Sequence, residues 1–198
     1  IGMDYNAKYL VFSDNYFLSL KKLHHRKMEF YKNKLKGRNL SNFTKDFLHQ
    51  ITTKLVKELK RKQLKVLVVE DLKNIRRSAS KKLGTSKGKK LNYIINTLPF
   101  AQFLIFMGYK CLEAGIEIVK VSPVNTSKQC SKCGSLETKR PVQNAFECLN
   151  CGYHLHADLN GSRNIWSRYT APHELPVNLA HTGPKIGVTS CTLSVCSS

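Results

Sequence analysis

Acidic side chains are scarce in this chain. Only 13 Asp and Glu stand against 33 Lys and Arg, a formal net charge of +20 over 198 residues. Such an excess carries self-repulsion, and a polyanionic partner, most commonly nucleic acid, offsets it. A merely soluble basic protein is the alternative reading. Long apolar runs are also lacking. None approaches the roughly 20 residues of a spanning helix, and no signal-peptide pattern is present, so no membrane partner is expected. Internal repeats are absent. A disulfide framework is a poor match too, because the seven cysteines are odd in number and four of them fall in paired C-x-x-C knuckles. A reducing location, the cytoplasm and nucleoid of a prokaryote, suits that usage. Apolar residues still make up 41% of the chain, which excludes a disordered basic tail. The length fits one domain with a small insertion.

Residues 1–4 and 8–12 read as strands, with Asp14-Asn15 as a hairpin turn and residues 16–20 as the returning strand. The basic run 21–38 is helix-permissive, and with a single acid, Glu29, it reads either as a solvated face or as a phosphate-facing surface. Phe43, Phe47, Ile51, Leu55 and Leu59 recur every four residues and predict a helix, with Leu48 and Val56 beside them and Thr44 as its cap. The β-branched run 64–69 is expected of a strand covered on both faces. Residues 73–90 read as a mobile basic loop. Phe100, Phe103, Leu104, Met107, Cys111 and Leu112 predict a second helix with those side chains in the core, closed by Gly115. A strand over 116–121 follows, and a last helix runs from near Ala157 to about Tyr169. Residues 170–198 read as a poorly structured tail. Cys111 reads as a buried thiol, Cys191 and Cys196 as tail residues.

Cys130, Cys133, Cys148 and Cys151 form C-x2-C-x14-C-x2-C. Two residues between cysteines let one tight turn aim both thiolates at one ion, and Gly134 and Gly152 follow where the chain must bend sharply. Four sulfurs suit Zn²⁺ in a closed, structural site. Iron or a pair of disulfides is the alternative. His154 and His156 lie nearby, but four sulfurs already complete a shell, so both read as surface or supporting residues.

Three strands, then helix, strand, helix, strand and helix, is the order of an RNase H-like (RuvC) α/β domain with a mixed sheet flanked by helices and an inserted zinc ribbon. In that arrangement Asp4, Glu70 and Asp158 converge at one sheet edge. Singly, each reads as a strand-end or helix-cap acid. Together, three carboxylates repel unless divalent cations lie between them, which points to two Mg²⁺ ions and phosphodiester hydrolysis. Asp71 faces the other side of its strand and is a minor candidate.

Several segments resemble one family. Gly2-Met-Asp4, Val68-Val-Glu70-Asp-Leu72, the knuckles at 127–134 and 146–152, and Ala157-Asp158-Leu-Asn160-Gly-Ser-Arg-Asn164-Ile165 are similar to TnpB (OrfB), as is Lys45-Asp-Phe-Leu-His49. These are transposon-encoded, RNA-guided nucleases related to type V CRISPR effectors. The resemblance covers residues 1–168 and implies a Mg²⁺-dependent DNA endonuclease with Asp4, Glu70 and Asp158 as its acids. It implies a DNA target and, for the full-length protein, a guide RNA. Gly161-Ser162 stands where the family usually has two alanines.

The expected organisation is a nuclease domain over 1–125, a zinc ribbon over 126–155, the last nuclease helix over 156–169, and the tail. The chain opens on Ile1 inside a strand, as expected of a piece of a longer protein without its N-terminal guide-binding part. A non-catalytic, transposon-derived zinc-ribbon protein that binds nucleic acid is the alternative.

Overall fold

The computed structural model describes residues 1–33, 38–72 and 99–171. The expected loop at 73–90 and the tail beyond 171, with Cys191 and Cys196, lie outside the described residues.

A polar turn separates β1 (Gly2–Tyr5) from β2 (Tyr9–Phe12), and Asn15, at φ +67°, turns the chain into β3 (Phe17–Ser19). The three strands form an antiparallel meander. Helices α1 (Lys21–Lys32) and α2 (Arg38–Arg61) follow, then β4 (Val66–Glu70), α3 (Phe100–Glu113) and β5 (Glu117–Val121). β4 pairs in parallel with β1, and β5 in parallel with β4, giving a mixed sheet of order β3-β2-β1-β4-β5. Three short strands, β6 (Thr138–Lys139), β7 (Ala145–Cys148) and β8 (His154–His156), make a separate sheet, and α4 (Ala157–Thr170) closes the described chain.

Strand alternation assigns the two faces. Met3, Leu67 and Val69 point into a core with Leu48, Leu55 and Leu59 of α2 and Phe103, Met107 and Cys111 of α3. Val68, Val119 and Val121 point the other way, onto Ile165 of α4. β4 is therefore covered on both sides, which is why its sequence is an unbroken apolar run.

Two expectations and one alternative reading need correction. Helix α2 begins at Arg38, so Thr44 is interior and does not cap it; its hydroxyl donates 2.7 Å to the Leu40 carbonyl. Leu112 does not join the core. It is 74% exposed, because the buried stripe of α3 runs through Phe103, Phe106, Met107 and Cys111. Asp158 is not a cap either: His156 holds the N-cap position, and Asp158 lies within the first turn of α4.

Candidate metal centres and acid cluster

The two knuckles fold as copies of one turn. Gly134 N–H donates 2.9 Å to the Cys130 carbonyl, and Gly152 N–H donates 3.0 Å to that of Cys148. The Cys130 and Cys148 amides in turn donate, at 2.9 Å each, to the carbonyls of Ser135 and Tyr153. Gly134 and Gly152 sit at φ +77° and +66°, the left-handed region in which a side chain is strained. The turns converge the four sulfurs. Cys130 Sγ lies 3.8 Å from Cys151 Sγ, and Cys133 Sγ 3.6 Å from Cys148 Sγ. Thiolates held about 2.3 Å from one Zn²⁺ in a tetrahedron stand about 3.8 Å apart, so the set fits zinc. Among the described residues it is the one group of three or more ligating side chains drawn within 4.8 Å. The backbone amide of Ser135 pulls the Cys133 thiol down, while desolvation and the neighbouring sulfurs push the Cys151 thiol up. Phe146, buried with Cys130 and Cys148, packs against Ala157 and so joins the ribbon to the start of α4.

Asp4 and Glu70 lie on the α4 side of the main sheet, with Asp158 of α4 within electrostatic reach of Asp4. β1 and β4 run in parallel with Gly2 opposite Val68 and Met3 opposite Val69, so Asp4, one residue on, comes abreast of Glu70. Asp4 shares its face with Gly2, and Glu70 shares its face with Val68. There α4 packs so closely on β1 that a Cβ on Gly2 would stand 2.7 Å from the Trp166 amide nitrogen. Gly161 leaves space beside Asp4, where a Cβ would lie 3.1 Å from Asp4 Oδ2.

Burial first, then the negative charges of Glu70 and Asp158, push the Asp4 carboxyl up to about 8; Arg140 pulls it back. Glu70 is also raised, by burial, against the hydroxyl of Thr126 and the charge of Arg168. Asp158 Oδ2 accepts a 2.7 Å hydrogen bond from Asn6 Nδ2. A carboxyl raised by burial and, after it, by like-charged neighbours is one that a nearby cation would relieve, so these residues could hold a divalent ion. Asp71 lies just past β4, with its amide donating 2.8 Å to the Val121 carbonyl.

Four residues outside the sequence-based site tie the acids to the ribbon. The Thr126 hydroxyl donates a short hydrogen bond to Glu70 Oε1. Asn164 Nδ2 donates 2.8 Å to the Thr126 carbonyl and 2.7 Å to that of Gln129. Asn160 Nδ2 donates 2.7 Å to the Gln129 carbonyl, and its Oδ1 accepts from the Ser131 amide at 2.9 Å. Arg140, on the β6–β7 connection, hydrogen-bonds the Ser127 carbonyl at 3.0 Å and brings positive charge to Asp4. Asn160 and Asn164 are four apart on one helix face, an i, i+4 pattern that would have singled them out. Nothing in the sequence pattern marks Thr126 or Arg140.

Comparison with known proteins gives a likeness over part of the chain first. Residues 100–165 match a family model described as "Cas12f1-like, TNB domain". The relatives are then specific. The chain is 45% identical over 58 residues to CRISPR-associated endodeoxyribonuclease Cas12f1 of Sulfoacidibacillus thermotolerans, covering 29% of this chain and 14% of that protein. It is 30% identical over 123 residues to TnpB-like protein MJ0751 of Methanocaldococcus jannaschii, covering 62% and 42%. A cryo-EM structure of a Cas12f1–sgRNA–target DNA complex shares the fold, with a TM-score of 0.60 at 23% identity over 83% of this chain and 48% of that one. The chain is thus a relative of the TnpB and Cas12f proteins, and it spans less than half the length of each. Among the described residues, no helix is long and apolar enough to cross a membrane.

Proposed function

We propose that residues 1–125 and 156–169 form an RNase H-like, RuvC-type nuclease domain, that residues 126–155 are its inserted zinc ribbon, and that the chain cleaves DNA. The observation that carries this reading is the parallel register of β1 on β4, which brings Asp4 abreast of Glu70 while Asp4 also feels the charge of Asp158. The strand order β3-β2-β1-β4-β5, a meander followed by two parallel strands, supports the fold assignment.

In this reading Asp4, Glu70 and Asp158 hold divalent cations, with Mg²⁺ the expected metal and two ions the expected number. When bound, such a pair supplies an activated water and stabilises the leaving oxygen of a phosphodiester. The chain's own residues prepare the place. Thr126 fixes one oxygen of Glu70, and Asn6 fixes one oxygen of Asp158. Arg140 adds a cation beside Asp4, suited to a phosphate that must approach three carboxylates. The zinc ribbon holds no open ligand position; it acts by fixing residues 126–131 against α4. A DNA target, and a guide RNA for the full-length protein, are the partners that the relatives' complexes suggest. The +20 charge fits either strand.

A second reading, a zinc-ribbon binder of nucleic acid without activity, keeps one observation in its favour: the acids do not close as tightly as the cysteines. Both readings meet in one experiment. Zinc-loaded protein is incubated with supercoiled plasmid and with single-stranded DNA, with and without Mg²⁺ and transposon-end RNA. The nuclease reading expects Mg²⁺-dependent nicking that Asp158→Ala abolishes. Salt-sensitive binding without cutting, unchanged or tightened by Asp158→Asn, would select the binder.

A further inference from the structure

We propose that His156 supplies a nitrogen ligand to the cation held by Asp158, giving this acid site a mixed nitrogen and oxygen shell. The inference rests on the reading that the acids bind a divalent ion, and it adds a residue and a metal preference to it.

His156 ends β8 and is the N-cap of α4, two residues before Asp158, with an extended backbone at φ −64°, ψ 129°. Its ring and the Asp158 carboxylate therefore leave the same turn. The His156 Nδ1 atom is buried and has no hydrogen-bond partner. The side chain as a whole is 34% exposed, so the covered and unpartnered Nδ1 is the atom that needs a reason. Asp158 Oδ2 lies 4.0 Å away, beyond hydrogen-bond reach.

Both groups are held from behind. Asn6 Nδ2 donates 2.7 Å to the same Oδ2, and Asn6 Oδ1 is itself fixed by the amides of Lys8 and Tyr9 at 2.8 Å. The Phe17 ring meets the His156 imidazole edge-on, at 5.4 Å and 89°. Two donors about 2.1 Å from one six-coordinate ion stand about 3 Å apart when adjacent and about 4.2 Å apart when opposite. A separation of 4.0 Å thus suits two ligands of a shared ion better than a direct hydrogen bond. An imidazole among carboxylates biases a site toward transition cations such as Mn²⁺ over Mg²⁺.

The test uses the full chain, zinc-loaded, with Mn²⁺ as the probe and pulsed electron paramagnetic resonance as the readout. Directly bound imidazole gives a nitrogen-14 coupling, which histidine labelled with nitrogen-15 converts to the nitrogen-15 pattern in otherwise unchanged protein. His156→Gln is expected to remove the coupling and weaken Mn²⁺ binding about tenfold or more, with zinc content and melting unchanged. Mn²⁺ bound in an Asp158-dependent manner without nitrogen coupling overturns the ligand role and leaves the acid site standing. Mn²⁺ binding that Asp158→Asn does not alter, or no binding, overturns both.

Discussion

Ser131 and Asn160 are joined by a 2.9 Å hydrogen bond, the Ser131 amide donating to the Asn160 side-chain carbonyl. Ser131 lies inside the first zinc knuckle, and Asn160 lies two residues after Asp158. With Asn164 and Thr126, this bond links the ribbon to two of the three acids. Losing the ribbon's order therefore disturbs the placement of Glu70 and Asp158 together.

Asn160 is fully buried, and Asn160→Ala leaves the Ser131 amide unpaired and strips the Gln129 carbonyl of one of its two donors, Asn164 remaining. The expected cost is about 1–3 kcal/mol. For a chain of this size that lowers the melting temperature by about 2–4 °C per kcal/mol. Thermal unfolding of zinc-loaded protein measures it, and metal analysis is expected to find the zinc still bound.

Zinc removal should act at a distance. A chelator, or Cys148→Ser, is expected to release the metal and abolish any Mg²⁺-dependent cleavage, since the knuckle loop carries Thr126 to Glu70. Parallel measurement of zinc content and nicking rate checks the coupling. Zinc-free protein that cuts at the original rate would disprove it.

Gly2→Ala is expected to be severe for a single methyl group. The added Cβ meets the backbone of Ser162 and Trp166, which cannot rotate away, so α4 must move off β1. Overpacking of this kind costs about 1–3 kcal/mol, occasionally more. The displacement carries Asp158 away from Asp4, so metal affinity should fall more than stability does. Calorimetric titration with Mn²⁺ beside a melting curve separates the two effects.

The raised Asp4 carboxyl sets a pH dependence of unusual sign. Its folded value of about 8 lies above its ordinary value of 3.8, so between them the folded chain holds a proton that the unfolded chain releases. Without divalent cation, stability contributed by Asp4 is full below about pH 4 and is lost as pH rises toward 8. Glu70, also raised, adds in the same direction. Asp4→Asn should flatten this decline and stabilise the cation-free protein at pH 8. Added Mg²⁺ should raise the melting temperature of the unaltered protein more at pH 8 than at pH 5, and do little for Asp4→Asn. Melting curves across that range decide the sign.

The sheet was largely legible, because alternation and β-branched runs mark strands that are covered on one or both faces. The Val-rich run of β4 and the cysteine spacing are the clearest examples. Helix boundaries were less so: Thr44 resembles a cap, yet the helix starts six residues earlier. The periodicity of α2 marks a helix, but its buried stripe centres on Leu48, Leu55 and Leu59, with Phe43 and Phe47 only half-buried. Leu112 failed for a similar reason, since an apolar residue at a helix end need not face the core. Asn160 and Asn164 carry an i, i+4 signature, but their partners Thr126 and Gln129 do not, because hydrogen bonds between segments 30 or more residues apart leave no periodic trace. The acids could be named from their places at element ends, but Asp4 stands beside Glu70 through strand register, which composition does not encode.

The central claim is that Asp4, Glu70 and Asp158 together hold a divalent cation. A crystal structure of the zinc-loaded chain grown with Mn²⁺ tests it most directly, using anomalous scattering at the manganese edge. The account predicts manganese bound by all three carboxylates and absent from the same crystals of Glu70→Gln protein. Manganese found only elsewhere, with the three acids left to water, would contradict it.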